Sequence, residues 1–321
     1  MHKFLNEPFN IGKNKVANRL IQGPLAGYSA APFRQLYYQF IPPAFCVSEM
    51  ISAYDVLHKH KANSRYLFRG LNEKTLSYQI AGSDPLIMAA AAIQLEEMGA
   101  DLVDINCGCP KTKIRKKGAG SALLEDLSKL SEIVKEVRRA INIPLTVKIR
   151  IFGDDRDIQL VKALEDEGVD AIIVHGRNWQ DNYDVLCNLE QIAKIKAAVS
   201  IPIIANGSLS CIKTLSKAYE ITGCDAFMIA RAGCGKPWLY QQLLLPKEQQ
   251  IEILDNTKIA CFIEHLEGLA VLESEHKAVL QSKSLVRYYF GRVLGELQLQ
   301  DFYKFKSLKE IESYLPTIIC G

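Results

Sequence analysis

Two cysteines flank a glycine in Asp104-Ile105-Asn106-Cys107-Gly108-Cys109-Pro110, and five cationic side chains follow at Lys111, Lys113, Arg115, Lys116 and Lys117. A thiol at the head of a loop stiffened by Pro110, next to that much positive charge, sits where it can be ionised and presented to a substrate. The same cations attract a phosphate backbone. Charge alone also describes a solvated loop over a core cysteine, and the position of the loop in the fold decides between the two.

Three further side chains end apolar runs. Lys148 stands inside Val147-Lys148-Ile149-Arg150, and a lysine in such a strand needs an anionic or strongly polar partner, either a ligand or an internal carboxylate such as Asp104 or Glu49. Gln79 and His175 occupy comparable places, although a histidine at a strand end is also simply satisfied there. A cation, an amide and an imidazole facing one pocket suit a planar heterocycle with acceptors along one edge. Asn206-Gly207-Ser208 and Ala230-Arg231-Ala232-Gly233 supply the glycine-bearing loops that let a backbone approach a phosphate. No His or Cys cluster around Cys107 and Cys109 completes a zinc spacing, so no metal is expected.

These residues need a scaffold that gathers strand ends. Eight β-rich segments, Leu20–Leu25, Ala44–Ser48, Leu76–Ala81, Leu102–Asn106, Leu145–Ile149, Ala171–Val174, Ile201–Ala205 and Ala226–Ala230, mostly alternate with helical patterns. That alternation predicts a parallel α/β sheet closed as a (β/α)8 barrel, with its chemistry on the rim at the strands' C-terminal ends. The predicted helices are Pro85–Met98, Leu127–Ala140, Asp157–Glu167, Leu189–Val199 and Ile212–Ile221. Beyond Leu245-Pro246 the pattern changes to helices at Lys247–Glu273, His276–Gly295 and Ser307–Leu315. Residues 1–245 therefore read as the barrel and 246–321 as a small all-helical domain.

Composition bounds the rest. At 321 residues, 48% hydrophobic and 23% charged, the chain has the make-up of a globular protein with a sizeable core, which excludes disorder, collagen and coiled coil. The net charge of +3, from 39 basic and 36 acidic residues, is too even to mark a polyanion binder, so any nucleic-acid surface is local. The N-terminus carries charge and Pro8 where a signal peptide needs an apolar run, and no stretch reads as a membrane span. Nine cysteines, an odd number, fit a reducing compartment. The expected location is the cytoplasm and the expected state a monomer.

In order along the chain, the motifs resemble those of the tRNA-dihydrouridine synthases, flavoenzymes with a TIM barrel and a helical tRNA-binding domain. The carriers are Pro24-Leu25-Ala26-Gly27 through Pro32-Phe33-Arg34, Gln79, Asp104 through Pro110, Thr146 through Arg150, His175-Gly176-Arg177, Asn206-Gly207 and Pro237-Trp238. The resemblance implies FMN, re-reduced by NADPH, as hydride donor to C6 of a uracil, with Cys109 as the acid that protonates C5. It implies cofactor contacts at Pro24, Leu25, Ala26, Gln79, Lys148, His175, Asn206, Gly207, Ser208, Ala230 and Arg231. It places substrate contacts at Asn106, Lys111, Arg115, Arg150, Arg177 and Arg287, with Lys277, Lys283 and Arg292 as further tail cations toward tRNA. The chain departs from the pattern at Ala30, Cys107, Asn178, Ala230 and across Asn178–Asn188. Two other functions are compatible with parts of the pattern: a barrel flavin reductase acting on a free pyrimidine or an enoate, and a non-catalytic tRNA-binding protein.

Overall fold

The computed structural model describes residues 1–291 and 293–319. Eight strands, β1 (Leu20–Gln22), β2 (Phe45–Val47), β3 (Leu76–Ala81), β4 (Leu102–Cys107), β5 (Leu145–Arg150), β6 (Ala171–His175), β7 (Ile203–Asn206) and β8 (Ala226–Ile229), pair in parallel with their sequence neighbours. β8 pairs back onto β1, so the sheet closes into a TIM barrel without a free edge. The eight strands are those expected, with some ends moved by a few residues; a ninth, two-residue strand at Ile51–Ser52, not expected, also pairs with β3.

The barrel helices are α1 (Ala31–Leu36), α2 (Ala53–His58), α3 (Pro85–Glu97), α4 (Leu127–Ala140), α5 (Arg156–Asp166), α6 (Leu189–Ala198), α7 (Ile212–Thr222) and α8 (Leu239–Leu244). Three of their starts are written in short polar side chains. Asp84, Asp126 and Asn188 each accept a hydrogen bond from the backbone N–H three residues on, at α3, α4 and α6, worth about 1 kcal/mol apiece. Along the strands, alternate residues face the helices or the barrel axis. On β4, Val103, Ile105 and Cys107 join the helix-facing core while Leu102 joins the axial one.

A short hairpin not anticipated from the sequence, Phe9–Ile11 paired with Asn14–Val16, closes the barrel floor. Its Ile11 and Val16 are buried with Ile21, Phe45, Leu102, Ile173, Ile204 and Met228. The axis is thus filled at the strands' N-terminal ends and open at the other.

Beyond β8 the chain is helical: α8, a single 3₁₀ turn at Lys247–Gln249, then α9 (Asp255–Leu272), α10 (Glu275–Phe290), α11 (Glu296–Phe302) and α12 (Leu308–Ile319). The expected helix from Lys247 is shorter because Ile251 and Ile253 are β-branched and the chain is extended at Leu254. α11 was missed; it starts where the Gly295 N–H donates to the Gln298 side chain at 2.7 Å. Phe262 packs against Tyr289, Phe290 and Phe302 to form the core of this helical layer. Among the described residues, no helix is long and apolar enough to cross a membrane.

Candidate active site

The strand alternation that buries Leu102 on the axis also carries Asp104 and Asn106 up its inner face. Register sets Gln79 beside Asp104, Asn106 beside Lys148, Arg150 beside His175, and His175 beside Asn206. The polar residues therefore meet in adjacent layers above an apolar floor. They open into a cavity of about 840 Å³ lined by Gln79, Asn106, Cys109, Lys111, Lys148, Arg150, His175, Asn206, Gly207, Ser208, Ala230 and Arg231, with Pro24, Leu25 and Ala26 on one wall. Four cationic side chains line it, and no carboxylate does among the described residues.

The loops are held by hydrogen bonds from outside the cavity. The Pro24–Ser29 turn is fixed by Leu25 N–H donating to Ser29 Oγ and by Gly27 N–H donating to Glu49 Oε2. Beneath it Arg34 and Glu73, both fully buried, form a two-point ion pair at 2.5 and 3.0 Å, and Arg34 also donates to the Ser29 carbonyl. Below the Ala230–Gly233 turn, Tyr37 and Tyr240 donate to Gln22 Oε1, and Tyr37 also reaches the Gly233 carbonyl. Gly207 (φ +112°) and Ser208 (φ +55°) both sit in left-handed conformations. A Cβ on Gly207 would lie 2.5 Å from Cys187 Sγ and 3.2 Å from the His175 ring, so only glycine fits.

The two thiols separate because the strand ends at Cys107 and the chain turns before Cys109. Cys107, the last residue of β4, points into the helix-facing core with no exposure, and burial pushes its thiol well above the ordinary value. Cys109 lies two residues beyond, on the cavity wall, where its backbone N–H and that of Gly108 donate to Asn106 Oδ1 at 2.9 and 3.2 Å.

Burial pulls the Lys148 ammonium down to about 8, with Asp104 opposing and Arg150 adding repulsion. Lys148 makes no ion pair among the described residues. Asp104 is taken by Thr146 at 2.6 Å and Gln79 at 2.7 Å, and Glu49 by Gly27 and Arg65. Asp104 therefore acts on Lys148 through its charge and not through a direct ion pair, and the lysine is open to the cavity. Burial, reinforced by Lys148, Arg150, Arg177 and Arg231, drives His175 down to about 2, so its imidazole is neutral near pH 7. Its Nδ1 is buried and unpartnered.

Three expected substrate contacts lie away from the cavity wall. Arg115 is engaged by Ser121 and, at two points, by Glu125, and its guanidinium stacks 3.6 Å from the Trp179 ring centroid. Arg177 is buried and cinches the 178–188 loop by donating to the Tyr183 and Val185 carbonyls and to Ser208 Oγ. Arg287 lies on the exposed side of α10 against Tyr303 and Glu296. Lys277 pairs with Glu273, and Arg292 falls outside the described residues. Sequence reasoning also missed the aromatic wall: Tyr28, Tyr183 and Tyr288. Tyr183 lies 3.8 Å over Arg231, and Tyr288 of α10 meets Tyr28 edge-on at 5.5 Å. The signal for Tyr183 was its place in the divergent 178–188 segment.

A family model described as dihydrouridine synthase matches residues 21–313. A tRNA-dihydrouridine synthase B of Pseudomonas aeruginosa is 35% identical over 315 residues, covering 96% of this chain and 94% of its own. Another from Vibrio parahaemolyticus is 40% identical over 236 residues, 73% of each chain. A probable tRNA-dihydrouridine synthase 1 of Synechocystis is 31% identical over 98% of this chain and 90% of its own. Among solved structures, the old yellow enzyme homologue from Zymomonas mobilis superposes with a TM-score of 0.55 at 13% identity, over 79% of this chain and 96% of that one; at that identity the likeness concerns the fold. With one family's pattern running from the first barrel strand into the last helix, the chain belongs to the dihydrouridine synthase family.

Proposed function

We propose that the chain is a tRNA-dihydrouridine synthase that uses FMN re-reduced by NADPH. The family's chemistry is flavin-dependent, and the cavity's donor set fits a flat, phosphate-bearing ligand. It holds four cations, an unpartnered His175 Nδ1 and a Gly207 turn with no room for a side chain. In this reading Asn206, Gly207, Ser208, Ala230 and Arg231 take the phosphate, and Gln79 and Lys148 take the acceptor edge of the ring. His175 and the Pro24–Ala26 wall complete the contact. When bound, the reduced cofactor supplies a hydride to C6 of uracil.

The remaining chemistry belongs to the chain. Cys109 donates its proton to C5, and Asn106 and Arg150 hold the uracil. The target base must leave its stack to enter the cavity. Lys111 at the mouth and the 246–321 helical domain, with Lys283 and Arg287, then grip the tRNA, and Arg115 and Arg177 act by shaping the loops. The protein works as a cytoplasmic monomer.

The observation that carries this reading is the convergence of Cys109 and Asn106 with the Gln79, Lys148 and His175 cluster on one cationic cavity. Purified protein supplied with FMN, NADPH and unmodified tRNA is expected to form dihydrouridine. Cys109→Ala should retain FMN and tRNA binding while losing about 100-fold or more in rate, the scale of a lost general acid. Absence of flavin binding and of dihydrouridine in the wild-type protein rejects the assignment, and full activity in Cys109→Ala rejects the acid.

A further inference from the structure

A chain of side-chain hydrogen bonds runs up the inner faces of β3, β4 and β5. Thr146 Oγ1 donates to Asp104 Oδ1, Gln79 Nε2 donates to Asp104 Oδ2, and Asn106 Nδ2 donates to Gln79 Oε1 at 2.8 Å. The Gly108 and Cys109 N–H groups then donate to Asn106 Oδ1. Amide orientations are ordinarily ambiguous. Here both ends are fixed near pH 7. Burial raises the Asp104 carboxyl to about 6, below which it would begin to carry a proton. Above that, an ionised carboxylate only accepts while a backbone N–H only donates. One orientation of Gln79 and one of Asn106 satisfy every link.

We infer that Asp104 is a positioning residue that sets the polarity of this chain, and so holds the Asn106 and Gln79 amides and the Cys109 loop in one arrangement. Asp104 has no exposure and does not line the cavity, so it acts through Gln79 and Asn106. A buried donor facing a donor, or an acceptor facing an acceptor, forfeits the bond and leaves two desolvated groups unpaired. Reversing one link therefore propagates along the whole chain. This inference concerns the chain's own wiring and stands whether or not the tRNA-modifying reading does.

The wiring predicts a rescue that a merely space-filling aspartate would not give. In Asn106→Asp, the new carboxylate still accepts from Gly108 and Cys109 but faces Gln79 Oε1. Turning the Gln79 amide to satisfy it would set Oε1 against Asp104. Adding Asp104→Asn removes the conflict: Asn Nδ2 donates to the turned Gln79, Asn Oδ1 accepts from Thr146, and Gln79 Nε2 donates to the new aspartate. Asp104→Asn alone is mild, since the Thr146 hydroxyl can rotate to accept.

The experiment is a double-mutant cycle read by thermal melting of the protein without added ligand, with Cys109 alkylation by iodoacetamide followed by peptide mass. Asn106→Asp should lower the melting temperature by about 5 °C, as one buried mismatch does in a chain this size, and change the Cys109 alkylation rate. The double variant should recover most of both. Gln79→Glu, which sets two carboxylates face to face, repeats the test: it should destabilise, and Asp104→Asn should restore it. If Asn106→Asp does not fold but the double variant does, the inference is supported. Additive losses in both pairs, or double variants that fail where Asp104→Asn folds, overturn it. Failure to bind FMN would count against the proposed function without touching this cycle.

Discussion

Lys148 is a cavity cation whose charge changes near neutral pH, because burial has brought its ammonium down to about 8. A depressed lysine is charged below that value and neutral above it. Affinity that rests on its charge is then present below about pH 8 and lost as the pH rises, whereas Arg231 stays charged throughout. FMN affinity, followed by flavin fluorescence quenching from pH 6.5 to 9.5, should fall by up to tenfold per unit above about 8. Lys148→Met should bind more weakly with no such fall, and a level profile in the wild-type protein would defeat the assignment. The cavity wall was legible because strand parity carries each residue named from a strand end to the same rim. Cys109 and Cys107 have the same parity, and only the turn after the strand end puts Cys109 on the cavity and Cys107 in the core. Arg115 and Arg177 were not legible as loop braces, since the partners that occupy them, such as Trp179 and Ser208, become neighbours only once the barrel closes.

At the scale of elements, the loop after β4 and the loop after β6 lean on one another at the mouth of the cavity. Arg115 reaches across to stack on Trp179 while Glu125 holds its other edge. The stack is worth about 1 kcal/mol, and its loss frees both loops. Trp179→Ala is expected to raise KM for tRNA several-fold and to expose the 111–120 segment to protease, with FMN affinity unchanged. Unaltered KM and cleavage would mean the two loops are braced elsewhere. The repeating strand and helix units were readable because each carries its own signal, an apolar run and then a helical pattern, with an Asp or Asn cap at three of them. The floor hairpin was not, since strands of three residues have too short a pattern to register and gain their burial from the axial core they plug. α11 was hidden for a similar reason, its seven residues holding only Leu299 and Phe302 inward.

The division into barrel and helical tail follows from the loss of strand signals after Ile229, but the way the two are joined depends on contacts distant in sequence. Arg65, between α2 and β3, donates to Glu49 at 2.9 Å and to Glu273 and Gln281 at 2.5 and 2.8 Å. Glu49 in turn holds the Gly27 N–H of the cavity wall, and Glu273 follows directly on α9. One largely buried guanidinium thus ties the helical layer to the Pro24–Ser29 turn, with the Tyr28 and Tyr288 contact and Gly268 against Pro32 beside it. Removing the arginine leaves two mostly buried carboxylates short of their counter-charge, a loss of about 2–4 kcal/mol. A small tilt at this joint is amplified along any tRNA lying over the helices, so binding geometry should suffer more than chemistry. Arg65→Met is expected to melt in a broader, earlier transition by calorimetry and to raise KM for tRNA well beyond any change in FMN affinity. Wild-type melting together with wild-type KM would show that the aromatic and Gly268 contacts hold the helical layer without this strut.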